Sequence, residues 1–453
     1  MGSHLTSQHW AARSPQVTGG FAADTAAVAD HLAAGADLLS RLPHKPDRGP
    51  DERATAARIH AVCRRTRGAY LRRHGDAWYD ELAGGCHGMR LADVVAAATA
   101  GHPGLLPDPA ALATEAGRPQ RDKEGYEIDL GMVAASWLRS DRVGPQLVHA
   151  MLQPTAAARE LLAEFRRDRR VDLGTVMVAR DGHVGHVTIR NERFLNAEDD
   201  ATVAALETAV DLVLLDDGIE VGVLRGGPVS HPRYQGRRVF SSGINLTHLY
   251  HGRITLLEFM LRRELGPMNK MLRGHRLGDD PYDDLSLGPH ASSNEKPWIG
   301  VVDAFAIGGG MQLLLLLDHV VAAGGSYLRM PALNEGIVPG SGNLRLTRFA
   351  GTRLARRVIF SGVTLPVEDP EGRLFCDEVL PPEALEDAVA AAAERLRNPS
   401  IIANRRLLLH AEEPPDAFRR YLAGYAWEQA NLLHSATLIE KLERTWMVRP
   451  RSL

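Results

Sequence analysis

The chain has 453 residues, 44% of them hydrophobic and 24% charged, and its 53 basic and 56 acidic side chains leave a net charge of -3. That length exceeds one ordinary core, so more than one domain is expected. No global basic field recruits nucleic acid, no apolar stretch reaches membrane length, and the start lacks a signal-peptide n-region and h-region, so a cytoplasmic protein binding neither nucleic acid nor membrane is expected.

Residues 1–170 are Ala- and Arg-rich, and stretches such as "ERATAARIHAVCRRTRGAYLRRHGDAWYDEL" and "PTAAARELLAEFRRDRR" repeat apolar residues at three and four. Pro- and Gly-bearing breaks separate them, which predicts an all-helical N-terminal region. The opening Met-Gly-Ser-His reads as an expression scar. The pattern changes at Val171. "GTVMVARDGHVGHVTIRN" holds two β-branched runs joined by Asp181-Gly182, a hairpin signal. A helix follows over "DDATVAALETAVDLVLLDD", then a strand "EVGVLRG", a loop "GPVSHPRYQGRR", and a strand "VFSSGIN" running into the helix "ITLLEFMLRRELG". "PWIGVVDAFAIGGG" reads as one strand feeding a glycine-rich helix start, and the leucines after it as a helix buried nearly all round. Two more short strands, a Gly/Pro loop and a helix follow, and from about residue 385 the text is helical to the end. Strands alternating with helices predict a parallel sheet and an α/β core over 171–397, with a C-terminal helical segment over 398–453. "GHRLGDDPYDDLSLGPHASSNEKP" is the one long polar insertion.

Two glycine-marked turns end neighbouring predicted strands, Ser242-Gly243-Ile244 and Gly308-Gly309-Gly310. Backbone N–H groups at a helix start are unpaired and carry the positive end of the helix dipole. One such donor from each turn, aimed at a single point, makes an oxyanion hole for a carbonyl oxygen that gains charge. Taken alone, a glycine triplet before a helix is more often close packing than catalysis. Three cysteines, Cys63, Cys86 and Cys376, are few and far apart, which fits a reducing compartment. His74/Asp76 and His410/Glu412 match half of a two-His-one-carboxylate iron site, but such pairs arise by chance, and no metal site is expected.

The stretches "VTIRNERFLNAEDD", "VFSSGINL", "AIGGGMQLLLLLDHVVAA" and "PALNEGIVPGSGNLRL" together resemble the crotonase (enoyl-CoA hydratase/isomerase) superfamily. The resemblance implies a ββα spiral core, an acyl-CoA thioester substrate, and a trimeric or hexameric homo-oligomer. It assigns the hole to the N–H groups of Ile244 and Gly309. Where hydratases of that superfamily carry two glutamates, this chain has Gln312 and Ala332. An amide cannot act as a carboxylate base and a methyl group does nothing, so hydration is expected to fail here.

A helical N-terminal region joined to "FSSGIN…GGGMQ…NEGIVPGSG" is similar, over the whole chain, to the cofactor-independent oxygenases of that superfamily. This implies conversion of an arylacetyl-CoA and O2 to an aryl glyoxylate and CoA, without metal, flavin or haem. It further implies that Glu198, Arg263 and Gln312 contact the ring or the reacting centre, with His231 also binding substrate. Leu246 and Ile337 would line an apolar oxygen pocket. The general base stays open between a substrate phenolate, a bound water and Glu198. Read on their own, Arg263 in "LRREL" is an ordinary solvated or helix-paired arginine, Glu198 a helix-start carboxylate, Gln312 a core amide, and Leu246 and Ile337 core residues. Two rival activities follow: a crotonase-fold acyl-CoA thioesterase that uses no O2, and a non-catalytic acyl-CoA-binding protein.

Overall fold

The computed structural model describes residues 2–84, 88–276 and 294–448, so Cys86 and most of the polar insertion fall outside the described residues. Ten strands form two sheets among those residues. The larger sheet has the order β1 (Arg170–Asp172), β2 (Val176–Asp181), β3 (Val184–Ile189), β4 (Val221–Gly226), β5 (Trp298–Val302), β7 (His319–Ala323), β10 (Glu378–Leu380). The smaller has β6 (Phe305–Ile307), β8 (Tyr327–Arg329) and β9 (Thr364–Pro366). From β3 to β10 every pairing in the larger sheet is parallel, and β1, β2 and β3 pair antiparallel. The α/β core expected from alternating strands and helices is present. Strand β5 is buried at every position, as a parallel strand covered on both faces should be.

The N-terminal region is helical up to Asp168. Its longest helix, Pro50–Ala83, begins with proline at its first position, where the missing N–H costs nothing, and ends at left-handed Gly84. Its buried residues, including Ile59, Tyr70 and Trp78, recur at helical spacing. Trp78 lies 5.5 Å from Trp137 between ring centroids, and both are fully buried. The same core takes in Leu256, Phe259 and Leu265 from the middle of the chain and Phe418, Leu422 and Leu433 from the helix Pro415–Leu433. The segment 256–273 is therefore gripped between the first and last helices. It winds as two π-helical turns, Leu256–Leu261 and Glu264–Met268, and continues as Asn269–Arg273, with Pro267 inside. Widened turns of this kind accommodate a residue with no N–H to donate.

Four local expectations change. The hairpin pairs Asp181 with Val184, so its loop is Gly182-His183, one residue later than read. "VFSSGIN" makes only single bridges, Ser241 to Ala306 and Glu198 to Ile244, because the turn at Gly243 ends the extended run. "PWIGVVDAFAI" is two strands, β5 and β6, placed in different sheets. The helix after the glycines spans only Gly309–Leu314, although Leu313 to Leu317 are all buried. A continuous apolar run states burial but not period, so its length as a helix was not legible. Among the described residues no helix is long and apolar enough to cross a membrane.

The C-terminal helices are tied to the core by Glu413, which is 1% exposed. It meets Arg345 at 2.9 Å through both oxygens, Arg348 at 2.9 Å and Arg273 at 3.2 Å. Burial raises its pKa, but these arginines outweigh burial and hold the carboxyl at about 2, against an ordinary 4.5. The stabilisation is complete above pH 4.5 and is lost as pH falls toward 2, roughly 3 kcal/mol in all. Urea titrations at pH 7 and pH 3 are expected to show this acid loss in the wild type. In Glu413→Gln the acid loss shrinks, while stability at pH 7 is already lower.

Candidate active site

Two backbone segments create the centre. Phe240 N–H donates to Phe305 O at 3.2 Å and Ile307 N–H to Ser241 O at 2.9 Å, which lays the Ser242-Gly243-Ile244 turn against β6 and the glycines that follow it. Gly243 has φ +83, and a Cβ there would stand 2.9 Å from Gly309 N. Only glycine permits both the turn and this approach. Gly308 N–H is taken by Arg329 O at 2.8 Å, so the next residue, Gly309, begins the helix with a free N–H. Among the described residues neither the Ile244 nor the Gly309 N–H donates to a protein acceptor, and both residues line one pocket.

Arg263 organises the polar wall. Its Nε donates to Glu198 Oε2 at 2.6 Å, and its Nη2 to Glu198 Oε1 at 3.2 Å and to Gly309 O at 2.8 Å. Its Nη1 donates to Gln312 Oε1 at 3.0 Å and Glu264 Oε1 at 3.1 Å. Burial lowers its pKa, but the charges of Glu198 and Glu264 outweigh burial and hold the guanidinium above its ordinary value. A fork of donors clasped by two carboxylates is rigid and permanently charged. The contact to Gly309 O also fixes the peptide that follows the free Gly309 N–H.

Of the residues singled out from sequence, Ile244, Gly309, Gln312, Arg263 and Ile337 line this pocket together. Glu198 has no exposed surface and sits behind Arg263, where it also accepts from Ser241 Oγ at 3.3 Å. Leu246 packs on the helical core and does not line the pocket. His231 is exposed, accepts from Arg233 N–H at 3.2 Å through Nδ1, and is not among the lining residues. Ala332, where hydratases would carry a glutamate, does line the pocket.

Sequence reasoning missed Glu264, Glu335 and Tyr425, which line the same pocket. Glu264 stands beside Arg263 in "RREL" and accepts from Ser341 N–H at 3.2 Å. Glu335 ends the short helix Ala332–Glu335 in the "NEGIVPG" motif. Tyr425 comes from the helix Pro415–Leu433, and nothing local in its sequence marks it. Burial and the nearby charge of Glu264 keep the Tyr425 phenol protonated. Elsewhere His74 meets Asp24 at 2.7 Å and Asp76 accepts from Ser140 Oγ at 2.9 Å. Among the described residues no three His, Cys, Asp or Glu side chains are grouped to hold a metal.

The family profile described as enoyl-CoA hydratase/isomerase matches residues 279–433. The chain is 45% identical over 407 residues to the (3,5-dihydroxyphenyl)acetyl-CoA 1,2-dioxygenase of Amycolatopsis orientalis, covering 90% of this chain and 92% of that one. It is 25% identical over 230 residues to a probable enoyl-CoA hydratase of Rhizobium meliloti, covering 50% of this chain and 77% of that one. Among solved structures, OdaA of Pseudomonas aeruginosa is similar with a TM-score of 0.49 and 21% identity, over 61% of this chain and all of that one. With near-complete overlap at that identity to a relative of this kind, the chain belongs to the crotonase (enoyl-CoA hydratase/isomerase) superfamily.

Proposed function

We propose that this protein is a cofactor-independent dioxygenase that converts 3,5-dihydroxyphenylacetyl-CoA and O2 to 3,5-dihydroxyphenylglyoxylate and CoA. The observation that carries the reading is the 45% identity, over nine-tenths of both chains, to a dioxygenase of that substrate. The site supports it. Two unpaired main-chain donors face a pocket where Gln312 and Ala332 replace the carboxylates that would add water.

The chemistry follows from the geometry. The thioester oxygen takes the Ile244 and Gly309 N–H groups, which stabilise the charge that develops on it as the α-carbon loses a proton. Gln312 Oε1 is held by Arg263, which leaves its amide nitrogen for a ring hydroxyl. The carbanion, conjugated with an electron-rich ring, passes one electron to O2, and the radical pair combines to a peroxide. The peroxide attacks the thioester carbonyl and expels CoA; loss of the second α-proton then forms the ketone as the O–O bond breaks, so both oxygen atoms enter the glyoxylate and the two α-hydrogens end as the protons of acid and thiol. Phe259, Met260, Ile337 and Val338 give the pocket an apolar wall suited to O2 and to the exclusion of water. The same reading places the protein in the cytoplasm. It makes it a trimer or hexamer.

Incubation of metal-free protein with the arylacetyl-CoA, with and without air, tests the proposal. CoA release is expected to require O2 and to match its uptake one to one. Equal CoA release under nitrogen would establish a thioesterase instead, and tight binding with no release would establish a binding protein.

A further inference from the structure

Removing the α-proton requires a base, and three carboxylates cluster at this centre. Glu198 is fully buried, already accepts two bonds from Arg263 and one from Ser241, and does not line the pocket. Glu264, 1% exposed, accepts from Arg263 and from both the N–H and the hydroxyl of Ser341. Each already accepts three bonds and serves as a counter-charge to Arg263. Glu335 differs from Glu198 in lining the pocket, and from both in that, among the described residues, it carries no bond to Arg263. It is half-buried, it lines the pocket that holds the two hole donors, and among the described residues its carboxylate has no hydrogen-bond donor.

Position supports chemistry. Ala332 and Glu335 open and close one short helical turn. Residues three apart on a helix share a face, so the carboxylate at 335 is carried on the face whose first member is the methyl group at 332. Both residues line the pocket. The chain thus has no carboxylate where a hydratase has one, and supplies another three residues on, from the same short helical turn.

We propose that Glu335 is the catalytic base that removes the α-proton of the thioester held at Ile244 and Gly309, an assignment that rests on the acyl-CoA reading of this site. The Cα–H bond breaks, its electron pair enters the enolate, and the proton forms an O–H bond on Glu335. No other reactant is needed for this step. The carboxyl then returns its proton to solvent or to the departing CoA thiolate. Burial lifts the Glu335 pKa to about 7, opposed only in part by Arg329 on β8. That suits a base working near neutrality. The other charged or titratable groups around it are Arg263, Glu264 and Tyr425 across the pocket and Lys441, whose Nζ reaches Leu333 O.

Hydrogen–deuterium exchange at the α-carbon in D2O without oxygen isolates this step. Wild-type protein is expected to label 3,5-dihydroxyphenylacetyl-CoA, and Glu335→Gln to label it about 100-fold more slowly while its melting temperature and substrate affinity are kept. Glu335→Ala is expected to regain exchange when formate is added, which a misfolded variant would not do. The wild-type kcat/KM should rise with pH through about 7, a limb missing from Glu335→Gln. Exchange by Glu335→Gln within about threefold of wild type would overturn the assignment. Wild-type exchange without oxygen uptake would defeat the dioxygenase reading and leave the base in place.

Discussion

Gly309→Ala is expected to lower kcat/KM for the arylacetyl-CoA by about 1,000-fold, the upper end of what one oxyanion-hole donor is worth. The backbone at Gly309 is not in the left-handed region, so alanine meets no dihedral penalty there. The obstacle is contact. A Cβ at 309 falls inside the envelope of Glu198 Oε1 and 3.0 Å from Arg263 Nη2. These two groups are locked to each other, and Arg263 is also locked to Gly309 O, so none can retreat alone. The peptide must rotate, and its N–H leaves the line to the thioester oxygen. The loss belongs to kcat, because the donor matters most when charge has developed on the oxygen. Two ligands separate this from general damage. A thioether analogue lacking the carbonyl should bind wild type and variant equally, and KM for the thioester should change far less than kcat. Turnover of the variant within tenfold of wild type would mean that Gly309 is not a hole donor.

The two glycine turns were legible because their determinants are local. Gly243 and Gly309 are each fixed by neighbours in sequence, a turn in one case and a helix start in the other, and such signals survive without knowledge of the fold. The pocket wall was not legible. Tyr425 reaches it from the distant helix Pro415–Leu433, and Glu335 is an ordinary surface-type residue until the short helix 332–335 turns it inward. Arg263 carried no signal of its own either; its meaning comes from Glu198, Gln312 and Glu264 converging on one guanidinium. The alternation of strands and helices was read correctly, since a parallel sheet imposes it. The two-sheet split at Asp303 and Ala304 was not, because a two-residue corner with one aspartate is too short to separate two strands in the sequence.

Lys270→Met is expected to destabilise the protein by about 3–5 kcal/mol, the cost of leaving buried charge without its partner. Lys270, Glu207, Asp211 and His275 all have 0% exposure. Lys270 Nζ stands 2.8 Å from Glu207 Oε1 and 2.7 Å from Asp211 Oδ1. Glu207 and Asp211 are four apart on the helix Asp200–Leu215, side by side on one face. Burial raises both carboxyl pKa values, and Lys270 is the leading charge that brings them back below ordinary values. Without it Glu207 still has Arg90 at 2.6 Å and Arg262 at 2.7 Å, while Asp211 keeps His275 at 2.7 Å and the Thr155 N–H at 2.7 Å. The burden therefore falls on Asp211, whose pKa rises in the variant. A raised carboxyl pKa stabilises the fold below the unfolded value and is lost as pH climbs through the folded one. The variant should accordingly lose less stability near pH 5 than near pH 8 in urea titrations, and adding Asp211→Asn should recover part of the loss. A deficit below about 1 kcal/mol at pH 8 would show that the lysine is not what holds these charges. The same residue anchors the end of segment 256–273, which carries Arg263 into the site. Activity in Lys270→Met should therefore decay with temperature ahead of global unfolding, as the arginine loses its fixed position over the glycine turn.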